Sequence, residues 1–163
     1  MMIKKNLSMI AAMAPNNGIG YKNQLPWKCS DDMKWFKEYT TGKNVIMGME
    51  TFKSLNSKPL PNRKNYVLTR NLNQKIDGVE LVDFSIMQKY INFFESEKFV
   101  VIGGSKIYEL FSDYISEAYI TYINKNIINE NQKFDSFLFL PEQFNIIEVI
   151  NEHENCTIKK FTI

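Results

Sequence analysis

Short apolar runs recur along this chain and alternate with segments of helical periodicity. Residues 10–14, 44–48 and 99–102 each read as a strand buried on both faces, because their apolar residues are consecutive. Such strands are typical of parallel sheets that helices cover. The last strand-like segments, 144–152 and Cys156–Thr162, predict an antiparallel pair. We therefore predict an α/β fold with a mostly parallel central sheet, flanking helices and an antiparallel C-terminal edge.

Length and charge limit the classes of protein to which the chain can belong. It has 163 residues, 44% of them hydrophobic, and no linker or repeat divides it, so we expect a single domain over residues 1–163. The formal charge is +2 and the basic residues are scattered, which argues against a nucleic-acid or membrane-surface partner.

Cysteine and histidine are too few to support a metal site or a disulfide framework. Cys29 and Cys156 lack metal-ligand spacing, and the single histidine, His153, lies between two glutamates where a surface position is expected. We predict no metal.

Residues 4–14 superficially resemble a secretory leader, because Lys4 and Lys5 precede an apolar run. That run has only about eight residues, the short limit for a leader's apolar core, so we interpret it as the first strand. No stretch approaches the roughly 20 apolar residues of a membrane span. We expect a cytoplasmic protein.

Asp32 lies on the apolar face of a helix predicted over residues 30–40, with Ser30 as its N-cap. Its face is shared, at helical spacing, by Trp35, Phe36 and Tyr39. A carboxylate among aromatic side chains loses hydration that only a protein partner or a ligand restores. Asp32 is therefore a candidate binding or catalytic residue, whereas the helix dipole alone accounts for Asp31.

Two further segments suggest a ligand site. The loop of residues 15–27 is long and carries apolar residues among its turn residues, as lids over binding sites often do. Gly103 and Gly104 end one predicted strand and open a helix, so backbone N–H groups there can face a phosphate.

Six groups of residues occur in the order, and at close to the spacing, of one known family. They are Leu25-Pro26-Trp27; Asp32 with Trp35-Phe36; residues 45–48 with Thr51; Pro61 with Arg63-Lys64-Asn65; residues 102–104 with Tyr108; and residues 119–121. No single group is specific, but together they resemble the dihydrofolate reductases of the bacterial chromosomal type over nearly the whole chain.

The resemblance implies an NADPH-dependent oxidoreductase that transfers a hydride to 7,8-dihydrofolate and gives 5,6,7,8-tetrahydrofolate for one-carbon metabolism and thymidylate synthesis. The catalytic residues that it implies are Asp32, Leu25, Trp27 and Thr121. A carboxylate can accept two charge-assisted hydrogen bonds from the guanidine-like edge of a pterin. We expect Asp32 to polarise the pterin, and a water admitted past Leu25 to deliver the proton.

The resemblance also implies a set of substrate-binding residues: Ile10, Ala12, Asp32, Met33, Phe36, Leu55, Leu60, Arg63, Ile102, Tyr108 and Thr121. Within this set, Arg63 is the expected clamp for the glutamate tail of the substrate, because a guanidinium fork matches a carboxylate.

The cofactor-binding residues implied by the resemblance are Ala12, Ile19, Gly20, Asn23, Gln24, Gly48, Met49, Glu50, Thr51, Leu68, Thr69, Arg70, Ile102, Gly103, Gly104, Ser105, Lys106, Ile107 and Tyr108. In the family the peptide between the two glycines is cis. The chain departs from the family where Met49-Glu50 follows Gly48 in place of a basic residue for the cofactor phosphates. NADPH is still expected over NADH, on the strength of Arg70.

The expected ligands are dihydrofolate and antifolate inhibitors, and the expected state is a monomer. Two alternatives stay open. One is a reductase of the same fold that acts on another pterin-like or pyrimidine substrate, such as those of riboflavin synthesis, against which Asp32 and Arg63 argue. The other is a catalytically silent folate- or nucleotide-binding protein, which only Met49-Glu50 favours.

Overall fold

The computed structural model describes residues 3–163, which form a mixed sheet covered by helices on both faces. In chain order the elements are β1 (Lys4–Met13), β2 (Gly18–Gly20), α1 (Ser30–Thr40), β3 (Asn44–Gly48), α2 (Met49–Ser54), β4 (Lys64–Leu68), β5 (Val79–Val82), α3 (Phe84–Phe93), β6 (Phe99–Gly103), α4 (Ser105–Phe111), β7 (Ile115–Ile123), β8 (Ser136–Phe137), β9 (Ile146–Glu152) and β10 (Cys156–Thr162). One 3₁₀ turn, Lys125–Ile127, follows β7.

The main sheet has eight strands in the order β5-β4-β3-β6-β1-β7-β10-β9. The six strands from β5 to β7 pair in parallel, whereas β10 runs antiparallel to both of its neighbours. The predicted α/β fold, with a parallel centre and an antiparallel C-terminal edge, is confirmed. The short β2 and β8 form a separate antiparallel ribbon.

Alternate residues of the central strands feed two apolar layers, as the twofold repeat of a strand requires. Val45 and Met47 of β3 pack with Phe52 of α2 on one face of the sheet. Ile46, between them, packs with the cluster that holds Met87 of α3 and Phe111 of α4 on the other face. Strands buried on both faces therefore read as continuous apolar runs in the sequence.

Two local predictions have different outcomes. Ser30 was the predicted N-cap of α1, but this is wrong: Ser30 is already helical, and the extended Cys29 occupies the cap without a capping side-chain hydrogen bond. Residues 4–14, interpreted as a strand rather than a leader, form β1 as far as Met13. Within residues 3–163, no helix has the length and apolar character needed to cross a membrane.

The sheet brings distant segments of the chain to one edge. Because parallel strands share their direction, the carboxyl ends of β1, β3, β6 and β7 lie together. Ala12 pairs with Thr121, and Met47 pairs with Gly103. The two glycines, the first turn of α2 and Thr121 are thus gathered where a ligand-binding crevice is expected in an α/β sheet.

Candidate active site

Asp32 is the one acidic or basic side chain that is buried in the part of the chain that the structure describes, with 8% of its surface exposed. It projects from the third residue of α1. Burial raises the pKa of its carboxyl above the usual range, because the charged form loses hydration. A buried carboxylate of this kind calls for a cationic or hydrogen-bonding partner.

Thr121 is the residue that comes closest to serving as a hydrogen-bonding partner for Asp32. Its hydroxyl partly offsets the rise in the pKa of Asp32, so the two groups are close. Its Oγ1 is nevertheless buried without a well-formed hydrogen bond to any of residues 3–163. A carboxylate and an unpartnered hydroxyl, side by side in an apolar setting, form a recognition element for a ligand that carries N–H donors.

Tyr108 completes the polar side of the site. Its hydroxyl donates to the backbone oxygen of Ile10 over 2.7 Å. Burial raises the pKa of Tyr108 above its usual range, and the negative charge of Asp32 raises it further. The structure therefore brings together Asp32, Thr121, Ile10 and Tyr108, all of which were predicted site residues.

Apolar walls flank this polar group. Phe36 and Ile102 pack against the cluster that holds Ile10, while Ile102 also packs with Leu55 and Leu60 on the cluster around Phe52. Ile102 thus links the wall formed by α1 to the wall formed after α2. Two other predicted residues, Met33 and Leu25, stand apart: their side chains are 64% and 55% exposed.

Arg63 lies at the far end of α1, where it is held in place by hydrogen bonds. Its Nη1 donates to Thr40 Oγ1 over 2.9 Å, and its Nε donates to the backbone oxygen of Pro61 over 2.8 Å. Partial burial lowers its pKa from the usual value. Asn62, beside it, has a φ of 59°, a left-handed geometry that asparagine tolerates.

The expected cofactor side is built mainly from backbone. Gly103 and Gly104 are joined by a cis peptide bond. A Cβ added at Gly103 would lie 3.5 Å from Thr51 Oγ1, and one added at Gly104 would lie 3.6 Å from the same atom. At Gly48 an added Cβ would approach Ile107 to 3.0 Å. Three glycines therefore keep the ends of β3 and β6 close to α2 and α4 and leave their backbone open.

This cradle fits a phosphate-bearing ligand. Two helices, α2 and α4, begin directly after the adjacent strands β3 and β6, and the free N–H groups of helix starts favour anions. Glu50, which stands where a basic residue is expected, contacts two other side chains. Its carboxylate accepts a hydrogen bond from Asn23 Nδ2 over 2.8 Å and lies 3.6 Å from Lys53 Nζ. Arg70 and Lys106 are exposed.

The loop of residues 15–27 is anchored from the opposite side by the segment around β8. Asp135 Oδ2 accepts from the backbone N–H of Lys22 over 3.0 Å, and the N–H of Asp135 donates to Gly20. Trp27, at the end of the loop, is buried, and its Nε1 has no acceptor among residues 3–163. The loop is thus a folded element beside the site rather than a simple connector.

Two of these anchoring residues were not among the predicted site residues. Asp135 and Thr40 act on partners 113 and 23 positions away, so no local pattern marks them. Thr40 is buried on the same helix as Asp32, a feature that only the structure shows.

Comparison with known proteins agrees with this geometry. A family model described as "Dihydrofolate reductase" matches residues 6–161. A dihydrofolate reductase of Buchnera aphidicola subsp. Acyrthosiphon pisum is 42% identical over 125 residues, which is 77% of this chain and 76% of that protein. The dihydrofolate reductase of Staphylococcus aureus is 34% identical over 159 residues, 96% of this chain and 92% of that protein.

The fold has a solved counterpart as well. Dihydrofolate reductase from Enterococcus faecalis, complexed with NADP(H) and RAB-propyl, superposes with a TM-score of 0.79 over 99% of this chain and 98% of its own, at 23% identity. The matched range spans every element of the main sheet, and the shared identity extends over most of the chain in several relatives. Because the family model matches residues 6–161 and these relatives share 34% to 42% identity over most of the chain, this chain belongs to the dihydrofolate reductase family.

Proposed function

We propose that Asp32 and Thr121 bind the pterin ring of dihydrofolate in this chain, which, as a member of its family, reduces dihydrofolate to tetrahydrofolate with NADPH. The observation that carries this assignment is the burial of Asp32 beside a hydroxyl that no described residue satisfies. The pterin offers a ring nitrogen and an exocyclic amine along one edge. These donors match the two oxygens of a carboxylate in a charge-assisted pair.

Apolar contacts hold the ring in place. Phe36 and Ile102 pack against the apolar cluster that holds Ile10, and flat rings stack or pack edge-on against such side chains. Leu55 and Leu60 extend that surface toward Arg63. The benzoyl part of the substrate follows this path and brings its glutamate to the guanidinium, whose remaining donors form a fork for a carboxylate.

The cradle at the ends of β3 and β6 holds the cofactor. Gly103, Gly104 and Thr51 lie at its centre, with Ser105 and Lys106 at the start of α4. Thr69 and Arg70, after β4, bind the 2′-phosphate that distinguishes NADPH from NADH. When bound, NADPH supplies the hydride that is added at C6 of the pterin.

The protein must also manage one proton, which goes to N5 of the pterin. Asp32 is held beside Thr121, where it stabilises a polarised pterin and raises the basicity of N5. A water admitted past the exposed Leu25, and oriented by the unpartnered Nε1 of Trp27, delivers the proton. The folded loop of residues 15–27 excludes other water from the site.

Antifolate inhibitors bind in the same cleft, since a diamino-substituted ring presents the same N–H donors to Asp32. This part of the proposal is supported by the E. faecalis relative of known structure, which was solved with NADP(H) and RAB-propyl. A monomeric state remains a prediction from the sequence.

The test is the loss of NADPH absorbance when the purified protein meets dihydrofolate. We expect turnover by the wild type and a loss of at least about a hundredfold in kcat/KM in Asp32→Asn, because the charge-assisted pair is removed. Asp31→Asn is the matched control: it makes the same change one residue away, on a half-buried carboxylate, and should keep wild-type turnover. Near-normal turnover in Asp32→Asn would remove Asp32 from the mechanism.

The same assay decides between the alternatives. Tight binding of dihydrofolate without turnover would favour a silent binding protein, with Met49 and Glu50 as the first positions to revert. Turnover of a different pterin or pyrimidine, with none of dihydrofolate, would favour the related reductases of the same fold.

A further inference from the structure

Cys29 and Cys156 meet beside the start of α1, although 126 residues separate them in the sequence. Both are buried, with 4% and 3% of their surface exposed, and both pack in one apolar cluster with Trp27. Burial raises the pKa of the Cys156 thiol to about 12, and the neighbouring Cys29 thiol and the charge of Asp32 add to that rise. The two thiols therefore lie in one buried cluster, close to the carboxylate that we assign to the pterin.

A second contact holds the same two segments together. His153, in the turn between β9 and β10, has its Nδ1 3.7 Å from Asp31 Oδ1 in the first turn of α1. The backbone N–H of His153 also donates to the carbonyl of Cys156 over 2.8 Å. The contact with Asp31 thus joins the hairpin turn to the beginning of α1, and the hydrogen bond within the hairpin fixes Cys156 relative to His153.

The position of each thiol suggests different roles in an exchange reaction. Cys29 is the cap residue of α1 and follows the exposed Lys28 at the end of the long loop, so a local opening of that loop exposes it first. Cys156 begins β10 and is paired with Ile123 of β7, so it is fixed behind Cys29. A thiol that local opening exposes, next to a thiol that the sheet holds fixed, is an arrangement that can form an intramolecular disulfide.

We propose that Cys29 and Cys156 form a modification site that small disulfide compounds oxidise to an intramolecular disulfide, and that this bond slows dihydrofolate reduction. The first half rests on the geometry of the two thiols alone. The second half also rests on the function proposed for Asp32.

The reaction balances as two thiol–disulfide exchanges. The deprotonated Cys29 sulfur attacks the small disulfide, which forms a mixed disulfide and releases one small thiol that takes up the Cys29 proton. Cys156 then attacks the Cys29 sulfur, its proton passing to the second small thiol as it leaves. The two cysteines lose two electrons in total, and the small disulfide gains them.

The bond affects catalysis because of where it lies. Asp32 follows Cys29 by three residues, less than one turn of α1, and Thr121 is paired with Ile158 of β10, two positions beyond Cys156. A covalent bond is shorter than a contact between two sulfur atoms, so oxidation draws the start of α1 toward β10. The spacing between the carboxyl of Asp32 and the hydroxyl of Thr121 then changes, at the point where the pterin is held.

The experiment treats the purified full chain with 4,4′-dithiodipyridine, which releases a coloured thiopyridone at each exchange. The chain has two cysteines, so an intramolecular disulfide must join them. We expect two thiopyridones released per chain, a mass lower by two hydrogens, a monomeric band without reductant, and a fall in kcat of about tenfold from the displaced site. Dithiothreitol should restore both the mass and the rate.

Two single variants, Cys29→Ala and Cys156→Ala, are the controls. Each should reduce dihydrofolate at close to the wild-type rate before treatment, and neither should lose two hydrogens on treatment. Pyridine adducts on both cysteines of the wild type, disulfide-linked dimers, or unreacted thiols would overturn the pairing. The expected mass change with an unaltered kcat would overturn the effect on catalysis. A wild type that never turns over dihydrofolate would overturn the proposed function, while the mass would still decide the pairing.

Discussion

Arg63 and Thr40 join the two ends of the substrate site: Nη1 of the arginine donates to the threonine hydroxyl over 2.9 Å. Thr40 in turn donates to the backbone oxygen of Phe36 over 2.7 Å, so the guanidinium is tied to the helix that carries Asp32. The residue that we assign to the glutamate tail is thereby oriented by the same helix that holds the pterin. We therefore expect recognition of the pterin and of the glutamate tail to be coupled through this helix.

Loss of the Arg63 guanidinium, or of the hydrogen bond that orients it, should weaken substrate binding without stopping the chemistry. In Arg63→Ala we expect the KM for dihydrofolate to rise by about thirtyfold or more, since a charged hydrogen-bonded pair is lost. In Thr40→Val the guanidinium stays but loses its orientation, so a rise of about fivefold is expected. Steady-state kinetics at saturating NADPH measure both.

Thr41→Val is the matched control for Thr40→Val. The Thr41 hydroxyl donates to the backbone oxygen of Lys37 over 2.6 Å, which is the same kind of helical bond one position further on. Within residues 3–163, the side-chain hydrogen bonds of Arg63 go to Pro61 and Thr40 and not to Thr41. Its KM for dihydrofolate should stay at the wild-type value. Equal rises in the KM for dihydrofolate in the two threonine variants would show that the effect comes from the end of α1 and not from the orientation of Arg63.

Glu50 should weaken cofactor binding in this chain. It carries a negative charge in the first turn of α2, beside the predicted phosphate cradle, and it is 65% exposed at the side chain. In Glu50→Lys the local charge changes sign, so we expect the KM for NADPH to fall by about three- to tenfold at low salt, with a smaller effect at high salt. Glu95→Lys makes the same change on an exposed residue after α3 and should leave the KM unchanged.

The contact of Glu50 with Asn23 adds a second expectation. Asn23 belongs to the loop of residues 15–27, and its amide donates to Glu50 over 2.8 Å. If the charge of Glu50 acts only through this bond, Asn23→Ala will reproduce the effect of Glu50→Lys. If it acts on the phosphates directly, Asn23→Ala will leave the salt dependence of the KM for NADPH as it is in the wild type.

Asp32 should lower the stability of the folded chain at neutral pH. Burial raises its pKa in the folded state, so between the unfolded pKa, about 4, and the raised folded value, the folded state binds more protons than the unfolded state. Stability therefore falls as the pH rises through that window and is lower above it. Asp32→Asn removes the buried charge and should stabilise the protein by about 1 kcal/mol at pH 7 or above.

Urea unfolding at neutral pH and near pH 4 measures this difference, with Asp31→Asn as the control. The gain in the free energy of unfolding from Asp32→Asn should shrink as the pH falls. The wild-type carboxyl is then protonated and therefore neutral, as the asparagine amide is at every pH. A gain that is the same at both values of pH, or that Asp31→Asn shares, would contradict the assignment of the effect to the buried carboxyl.

The fold class and the burial of Asp32 could be predicted because both follow from local patterns. Continuous apolar runs indicate strands buried on two faces, and the helical spacing of Asp32 with Trp35, Phe36 and Tyr39 marks a carboxylate on a buried face. Both outcomes depend on residues only a few positions apart.

Strand order and long-range partners could not be predicted for the same reason. Leu7 of β1 pairs with Phe99 of β6, and no turn or local spacing encodes that choice. The contacts of Arg63 with Thr40 and of Cys29 with Cys156 arise only when the sheet is assembled. The cap of α1 was wrongly predicted because serine favours caps in general, whereas here the extended backbone of Cys29 sets the start of the helix.

Gly103 is the position where a single methyl group should do most harm to the cofactor cradle. Its φ is +130°, and an added Cβ would lie 3.4 Å from the Tyr108 hydroxyl and 3.5 Å from Thr51 Oγ1.

Gly42 is the matched control, because it has a φ of +82° and open space around the added atom. Gly42→Ala should cost about 1 kcal/mol in the free energy of unfolding from backbone strain alone. Gly103→Ala should cost more, and it should also raise the KM for NADPH by about tenfold, since the methyl group fills space between Thr51 and Tyr108 that the cofactor is proposed to share. Urea unfolding and steady-state kinetics of the two variants separate strain from contact, and an unchanged KM in Gly103→Ala would move the cofactor site away from this glycine pair.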